Sequence, residues 1–279
     1  MSIRLTSLDD AAWTSPWRHR AVRDKALLSA GLIGTALFAP VLPGGVLAAL
    51  ASTAVLVGPA RVPGRLFVEA MVVPVLFTVL GAVPVAVAVG PSTADAWWSW
   101  GALSVGPDGA ARAVALVVHG VAGAAAVMVL ATTTPVVDLV TASRRLRVPE
   151  ACLDVAALIY RWCFVLLDTV VTVREAQAGR LGTAPVGRPG RSVWQGRMET
   201  TGALVGVVLV RSWARAARLS DGLAGRGYDG DLITLPRQRE SSPFFLAATV
   251  AGLLMIWAVT ALWTWYGLGE HAWWAGVSR

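Results

Sequence analysis

Apolar residues in this chain come in long blocks, not in strict alternation. A bilayer-crossing helix needs about 20 mostly apolar residues, and five blocks approach that length: 25–40, 42–59, 65–89, 112–133 and 243–266. The first two are separated only by the stretch from Pro40 to Gly45, which predicts a tight helical hairpin. The third contains Pro74 and Pro84, which predict a kink or a break that neighbouring helices would shield. A sixth block, 151–173, is also apolar. A crossing there would need a return through 202–210, about half the required length, so it is read as a helix packed at the membrane boundary.

Between the fourth and fifth blocks lies 134–242, where the pattern changes. Residues 135–147 open at Pro135, a favoured helix N-terminal residue, and close on Arg144, Arg145 and Arg147. That polarity predicts an amphipathic helix lying at an anionic interface. A second helix is predicted from Pro149 and Glu150 to about Arg180, with Asp154, Arg161, Asp168 and Glu175 recurring every seven residues. Such a period holds one narrow polar stripe on one face. A third is predicted over 193–226, with an apolar centre at 203–210, Arg211, Arg215 and Arg218 on one face, and Gly227 as its cap. The expected fold is therefore an all-α integral membrane protein. It has about five transmembrane helices and a cytoplasmic module of one interfacial and two long helices. The expected division is 1–133 as a membrane domain of four spans, 134–242 as cytoplasmic helices, and 243–279 as the last span and outer tail.

Charge sharpens the topology. Only 15% of the 279 residues are charged, against roughly 25% in soluble domains. The net charge of +7 does not point to nucleic acid. All 24 Lys and Arg residues except Arg112 and Arg279 fall in 1–25, 58–65 and 134–242. Placing those segments on one side satisfies the positive-inside rule, with the N-terminus cytoplasmic. Trp97, Trp98 and Trp100, and Trp263, Trp265, Tyr266, Trp273 and Trp274, then fall at the outer interface, where aromatic belts form. The polar first 24 residues lack a signal-peptide pattern. Cys152 and Cys163 fit no disulfide or zinc spacing. His119 lies inside a span and reads as a packing residue hydrogen-bonded across the bundle. Glu69 is expected to pair with an arginine or reach water. No paired carboxylates or Ser/His/Asp set suggests catalysis, and no phosphate-cradling G-x-x-x-x-G-K-[ST] loop is present.

One echo remains. The second long helix ends in Ala178-Gly179-Arg180 and the third in Ala224-Gly225-Arg226, followed by Gly227. Small residues admit a close partner backbone, and arginine offers a five-donor fork beside them. Gly and Arg also end many helices for capping reasons alone, so both readings stand on the residues themselves.

The stretches TPVVDLVTASRRLRVPEACLDVAALIYRWCFVLLDTVVTVREAQAGRLG (134–182) and ARAARLSDGLAGRGYDG (214–230), with SPWRHRAVRDKALLS (15–29), resemble the transmembrane T component of energy-coupling-factor (ECF) transporters, the EcfT/CbiQ family. In that family two long cytoplasmic helices end in Ala-Arg-Ser/Gly motifs that insert into a pair of ABC ATPases. The T component also contacts a separate substrate-binding membrane subunit, the S component. The resemblance implies that Ala178, Gly179, Arg180, Ala224, Gly225, Arg226 and Gly227 couple to the ATPases, and that this chain binds no cofactor, ATP being held by the partners. Gly179 and Gly225 stand where the motif usually has alanine, and Leu181 where it has serine or glycine. The implied role is uptake of a vitamin or a transition metal across a prokaryotic cell membrane, with a lean toward the cobalt-type subgroup. The alternatives are the permease subunit of a conventional ABC importer and an intramembrane enzyme.

The arginine asymmetry gives a test. With Cys152 and Cys163 replaced by serine, Ser192→Cys should react with a membrane-impermeant thiol reagent only from the cytoplasmic side, and Ser278→Cys only from outside. Labelling of residue 192 from outside would overturn this topology.

Overall fold

A computed structural model describes residues 3–89, 98–100, 103–144, 148–179, 193–228 and 241–266. The chain divides into two compact units. One comprises Ile3–Asp138 and Gln238–Arg279, and the other is built on Leu139–Arg237.

The first unit is a helical bundle. Its helices are α1 (Ile3–Thr14), α2 (Val22–Phe38), α3 (Val46–Val57), α4 (Gly64–Ala86), α5 (Pro107–Thr133) and α9 (Pro243–Trp265). Helix α5 is central and packs against α2, α3 and α4. Its buried residues are small: Ala111, Ala115, Ala122, Ala125, Ala126, Val129, Thr132 and Thr133. Lipid tails are as apolar as leucine, so helices in a membrane associate by close packing instead of hydrophobic expulsion, and small residues permit that approach. Around this stripe Leu28, Leu32, Leu56, Val129 and Ile256 form the core, closed at one end by Trp17. The opposite faces of α4 and α9 stay bare, with Phe77, Leu80, Leu254 and Trp265 all largely exposed. That suits hydrocarbon as the surrounding solvent.

The boundaries depart from expectation in physically readable ways. Among the described residues, four helices are long and apolar enough to cross a membrane: α4, α5, α9 and residues Ala151–Ala176 of the second unit. The expected count of five is therefore not reproduced. The first two expected spans form helices of only 17 and 12 residues, because the chain turns at Val41–Gly45 through one π-helical turn containing a non-helical Leu42. Helix α4 runs across both Pro74 and Pro84 without a break, and Thr78 Oγ1 donates 2.7 Å to the Pro74 carbonyl. It stops three residues early. Val87–Val89 instead forms β1, which pairs antiparallel with β3 (Leu103–Val105), and β3 pairs with β2 (Trp98–Trp100). The alternation of VAVAV and WSW carries the period-two signal of a strand. Helix α1 was not expected at all; its polar face includes a 2.9 Å bond from Trp13 Nε1 to Asp9 Oδ2, one helical turn apart.

Two polar groups singled out in the sequence find partners in this unit. His119 Nδ1 donates to the Ala36 carbonyl across the α5–α2 interface, as expected of a packing histidine. Glu69 pairs with Arg65 at 3.1 Å along the exposed start of α4.

The close approach of α5 to α4 is testable. A Cβ at Gly120 would lie 2.5 Å from Thr78 Cγ2, whereas one at Gly123 would meet nothing within 4 Å. Gly120→Val should cost about 1–3 kcal/mol through overpacking and lower the melting temperature of the detergent-purified protein. Gly123→Val should leave it nearly unchanged.

Candidate coupling surface

The second unit holds two long helices that pack on one another: α7 (Glu150–Gly179) and α8 (Val193–Ala224). Helix α6 (Val136–Ser143) precedes them within the expected 135–147, of which 145–147 lie outside the described residues. Pro149 starts α7, its carbonyl accepting from Cys152 N at 3.0 Å. Arg144 then clips the first turns, its guanidinium 3.0 Å from Asp154 Oδ1 with both side chains partly buried. Asp154 is thus the structural member of the seven-residue stripe. Arg161, Asp168 and Glu175 are exposed. Further along, Arg215 of α8 lies over the Trp162 ring of α7, 5.9 Å from its centroid. The arginine face of α8 was legible in the sequence, but its aromatic partner was not, because Trp162 sits among residues that read simply as apolar.

Both helices are bare for their length among the described residues. Helices of 30 and 32 residues normally owe their stability to a packed face. Among their described residues only Leu153 and Val173 are buried, and α8 exposes Val205, Leu209, Val210 and Trp213.

The tip of α8 is a defined structure. Gly227 adopts φ +71°, the left-handed conformation that glycine takes without a Cβ penalty. Tyr228 N donates to the Leu223 carbonyl at 3.1 Å and Gly227 N to the Ala224 carbonyl at 3.1 Å, the paired bonds of a Schellman cap. This fixes Arg226 as the last residue before the reversal. Ala224, Gly225, Arg226 and Gly227 are all exposed, and the Arg226 guanidinium has no hydrogen-bond or ion-pair partner among the described residues. Its guanidinium stands at a helix C-terminus, where the dipole favours a cation. A Cβ at Gly225 would come no closer than 3.4 Å to any atom, and one at Gly179 would meet nothing within 4 Å. Neither glycine is required by packing against the described residues. On α7, Ala178 and Gly179 form the exposed end of the helix; Arg180 and Leu181 lie outside the described residues.

Comparison with known proteins decides the family. The family profile described as CbiQ, cobalt transport protein, matches residues 14–236. The chain belongs to the CbiQ family. A cobalt transport protein CbiQ of Rhodobacter capsulatus is 33% identical over 242 residues, covering 87% of this chain and 92% of the relative. A putative fused cobalt transport protein CbiMQ of Methanocorpusculum labreanum is 26% identical over 258 residues, covering 88% of this chain and 41% of that longer protein. An uncharacterized protein of Methanocaldococcus jannaschii is 26% identical over 229 residues, 81% of each. Family membership and the apolar helices together make this a multi-pass membrane protein of a transport system. CbiQ membership thus agrees with the resemblance drawn from 134–182 and 214–230.

The cap makes a specific prediction. Gly227→Ala should cost about 1–2 kcal/mol by forcing a Cβ into the left-handed region, raising amide exchange at residues 224–228 roughly 10-fold. Gly225→Ala should leave exchange unchanged, since its Cβ has room.

Proposed function

We propose that this CbiQ-family chain is the coupling subunit of an ECF-type cobalt importer. It passes ATP-driven motion from a partner pair of ABC ATPases to a separate substrate-binding membrane subunit. The observation that carries this reading is the capped Gly225-Arg226-Gly227 turn: an exposed arginine whose backbone is fixed by the Gly227 cap, with a glycine on either side. The matching Ala178-Gly179-Arg180 at the end of α7 would present a second such tip. Each arginine would enter a groove of one ATPase, where small neighbours admit a close backbone and the fork binds carboxylate or carbonyl oxygens.

Three further features support the assignment. The bareness of α7 and α8 suits helices that complete their packing against other subunits. The name of the fused relative joins a CbiQ region to another region in one polypeptide, and the match to this chain covers 41% of it; a second membrane component is the natural counterpart here. The absence from the sequence of a phosphate-binding G-x-x-x-x-G-K-[ST] loop leaves ATP to the partners. In this reading 1–133 and 243–279 form the membrane part, 134–242 is cytoplasmic, the N-terminus is inside, and the chain carries out no catalysis of its own. Cobalt would be bound by the substrate-binding subunit.

The test is the double variant Arg180→Ala/Arg226→Ala. A charge-assisted contact contributes about 1.5–3 kcal/mol, or about 10- to 150-fold in affinity. The ATPases should be lost on co-purification and cobalt uptake should stop, while the chain stays in the membrane. Arg226→Ala alone should weaken binding more than Arg180→Ala, since the second tip matches the family motif better. A double variant that keeps its ATPases and transports normally would refute the assignment.

A further inference from the structure

Two adjacent residues of α2 are charged and fully buried. Asp24 and Lys25 both have 0% relative exposure, in a bundle whose other buried polar residues are hydroxyls. Each grips a different helix end. Lys25 Nζ donates 2.8 Å to the carbonyl of Thr133, the last residue of α5. Asp24 Oδ2 accepts at 3.1 Å from the backbone N–H of Ser242, the N-cap of α9. The signs fit the sites: a cation at a helix C-terminus and an anion at an N-terminus are both favoured by the helix dipole. The other Asp24 oxygen makes no hydrogen bond among the described residues and lies 3.6 Å from Arg23 Nε.

These two helix ends hold a particular place in the chain. Thr133 is the residue before segment 134–242, and Ser242 is the last residue of it. One dipeptide therefore holds the point where that segment leaves the bundle and the point where it returns. The grip on the return point is reinforced from the same stretch of sequence: Trp17 packs edge-on against Phe245 at 5.0 Å, and Arg20 lies over the same ring at 5.0 Å. Ser242 Oγ in turn accepts from Phe245 N. Hydroxyl-to-carbonyl bonds within single helices serve several of the buried polar groups here. A buried ion pair's worth of charge is an expensive way to close a bundle, and its placement at both roots of one segment gives it a use.

We propose that Asp24 and Lys25 are positioning residues that lock the two roots of segment 134–242 together. Displacement of that segment is then delivered to α2, α5 and α9 as a single motion instead of being absorbed at the joints. The proposal rests on the reading of 134–242 as the coupling segment.

The experiment uses the complete transporter in proteoliposomes, with Lys25→Met, Lys25→Arg and Asp24→Asn variants, and reads cobalt transported per ATP hydrolysed. In parallel, spin labels replace the exposed Val136 and Phe244 in a chain with Cys152 and Cys163 changed to serine. Lys25→Met should broaden the 136–244 distance distribution and lower transport per ATP by about 10-fold or more, the loss expected for one charge-assisted bond. The ATPases should remain bound, and Lys25→Arg should recover both readouts because it keeps the charge and a donor. Asp24→Asn should behave like Lys25→Met. A Lys25→Met variant with wild-type transport per ATP, or with an unbroadened distance, overturns the proposal. So does loss of both Lys25→Met and Lys25→Arg from the membrane, which leaves only a folding role. The distance arm needs no ATPase, so it separates failure of the lock from failure of the coupling reading.

Discussion

Hydrocarbon offers no water to a polar group, and the membrane unit is shaped by that shortage. Each backbone N–H and C=O must be paired within the protein, which leaves helices as the spanning elements. The same requirement governs side chains. Thr35, Ser52, Thr53, Thr132, Thr133 and Thr260 each donate to the carbonyl four residues earlier in their own helix, so a hydroxyl can face a neighbouring helix without carrying an unmet donor. His119 spends its ring N–H on the Ala36 carbonyl, and Ser29 reaches Ala126 at 2.8 Å. With these hydroxyls satisfied locally, the central helix α5 meets its neighbours mainly through small residues. The two charges buried fully among the described residues are confined to helix ends, where dipoles and free backbone groups receive them.

The second unit follows a different logic. Its helices are longer than those of the bundle yet bury little among the described residues, where the side-chain contacts include Arg144 with Asp154, Arg215 with Trp162 and, within α7, Tyr160 against Phe164 with ring centroids 4.9 Å apart. What is well defined is the end of α8, where the cap fixes Arg226 against a chain reversal. A bare shaft with an ordered tip is the form expected of an element that receives force from another protein. The membrane unit, packed through close helix contacts, is the form expected of a body that moves as a whole.

Much of this was legible in the sequence. Spans α4, α5 and α9 followed from block length alone, and α7 and α8 from their polar spacings and terminal glycines, because helix patterning is local. Gly227 was recognisable as a cap since left-handed backbone favours glycine. The misses have physical causes. The β1–β3 sheet was hidden because apolar β-branched residues serve a span and a strand equally, and only the alternation of Val85, Val87 and Val89 hinted at the change. Helix α1 lacks an apolar periodicity to announce it. The joint grip of Asp24 and Lys25 on Thr133 and Ser242 joins residues more than 100 positions apart, and no local pattern carries such a pairing. For the proposed coupling tips, the sequence supplied the matched residues, and the fold added the cap and the exposure of the second one.

The central claim is that this chain transmits work and does not itself recognise cobalt. The most direct measurement is binding and uptake of radiolabelled cobalt by proteoliposomes holding this chain alone, the chain with its ATPases, and the complete set including the substrate-binding membrane subunit. The account predicts no saturable cobalt binding by the chain alone, none on adding the ATPases, and ATP-dependent uptake only with all components present. Saturable cobalt binding or uptake by the chain without the substrate-binding subunit would contradict it.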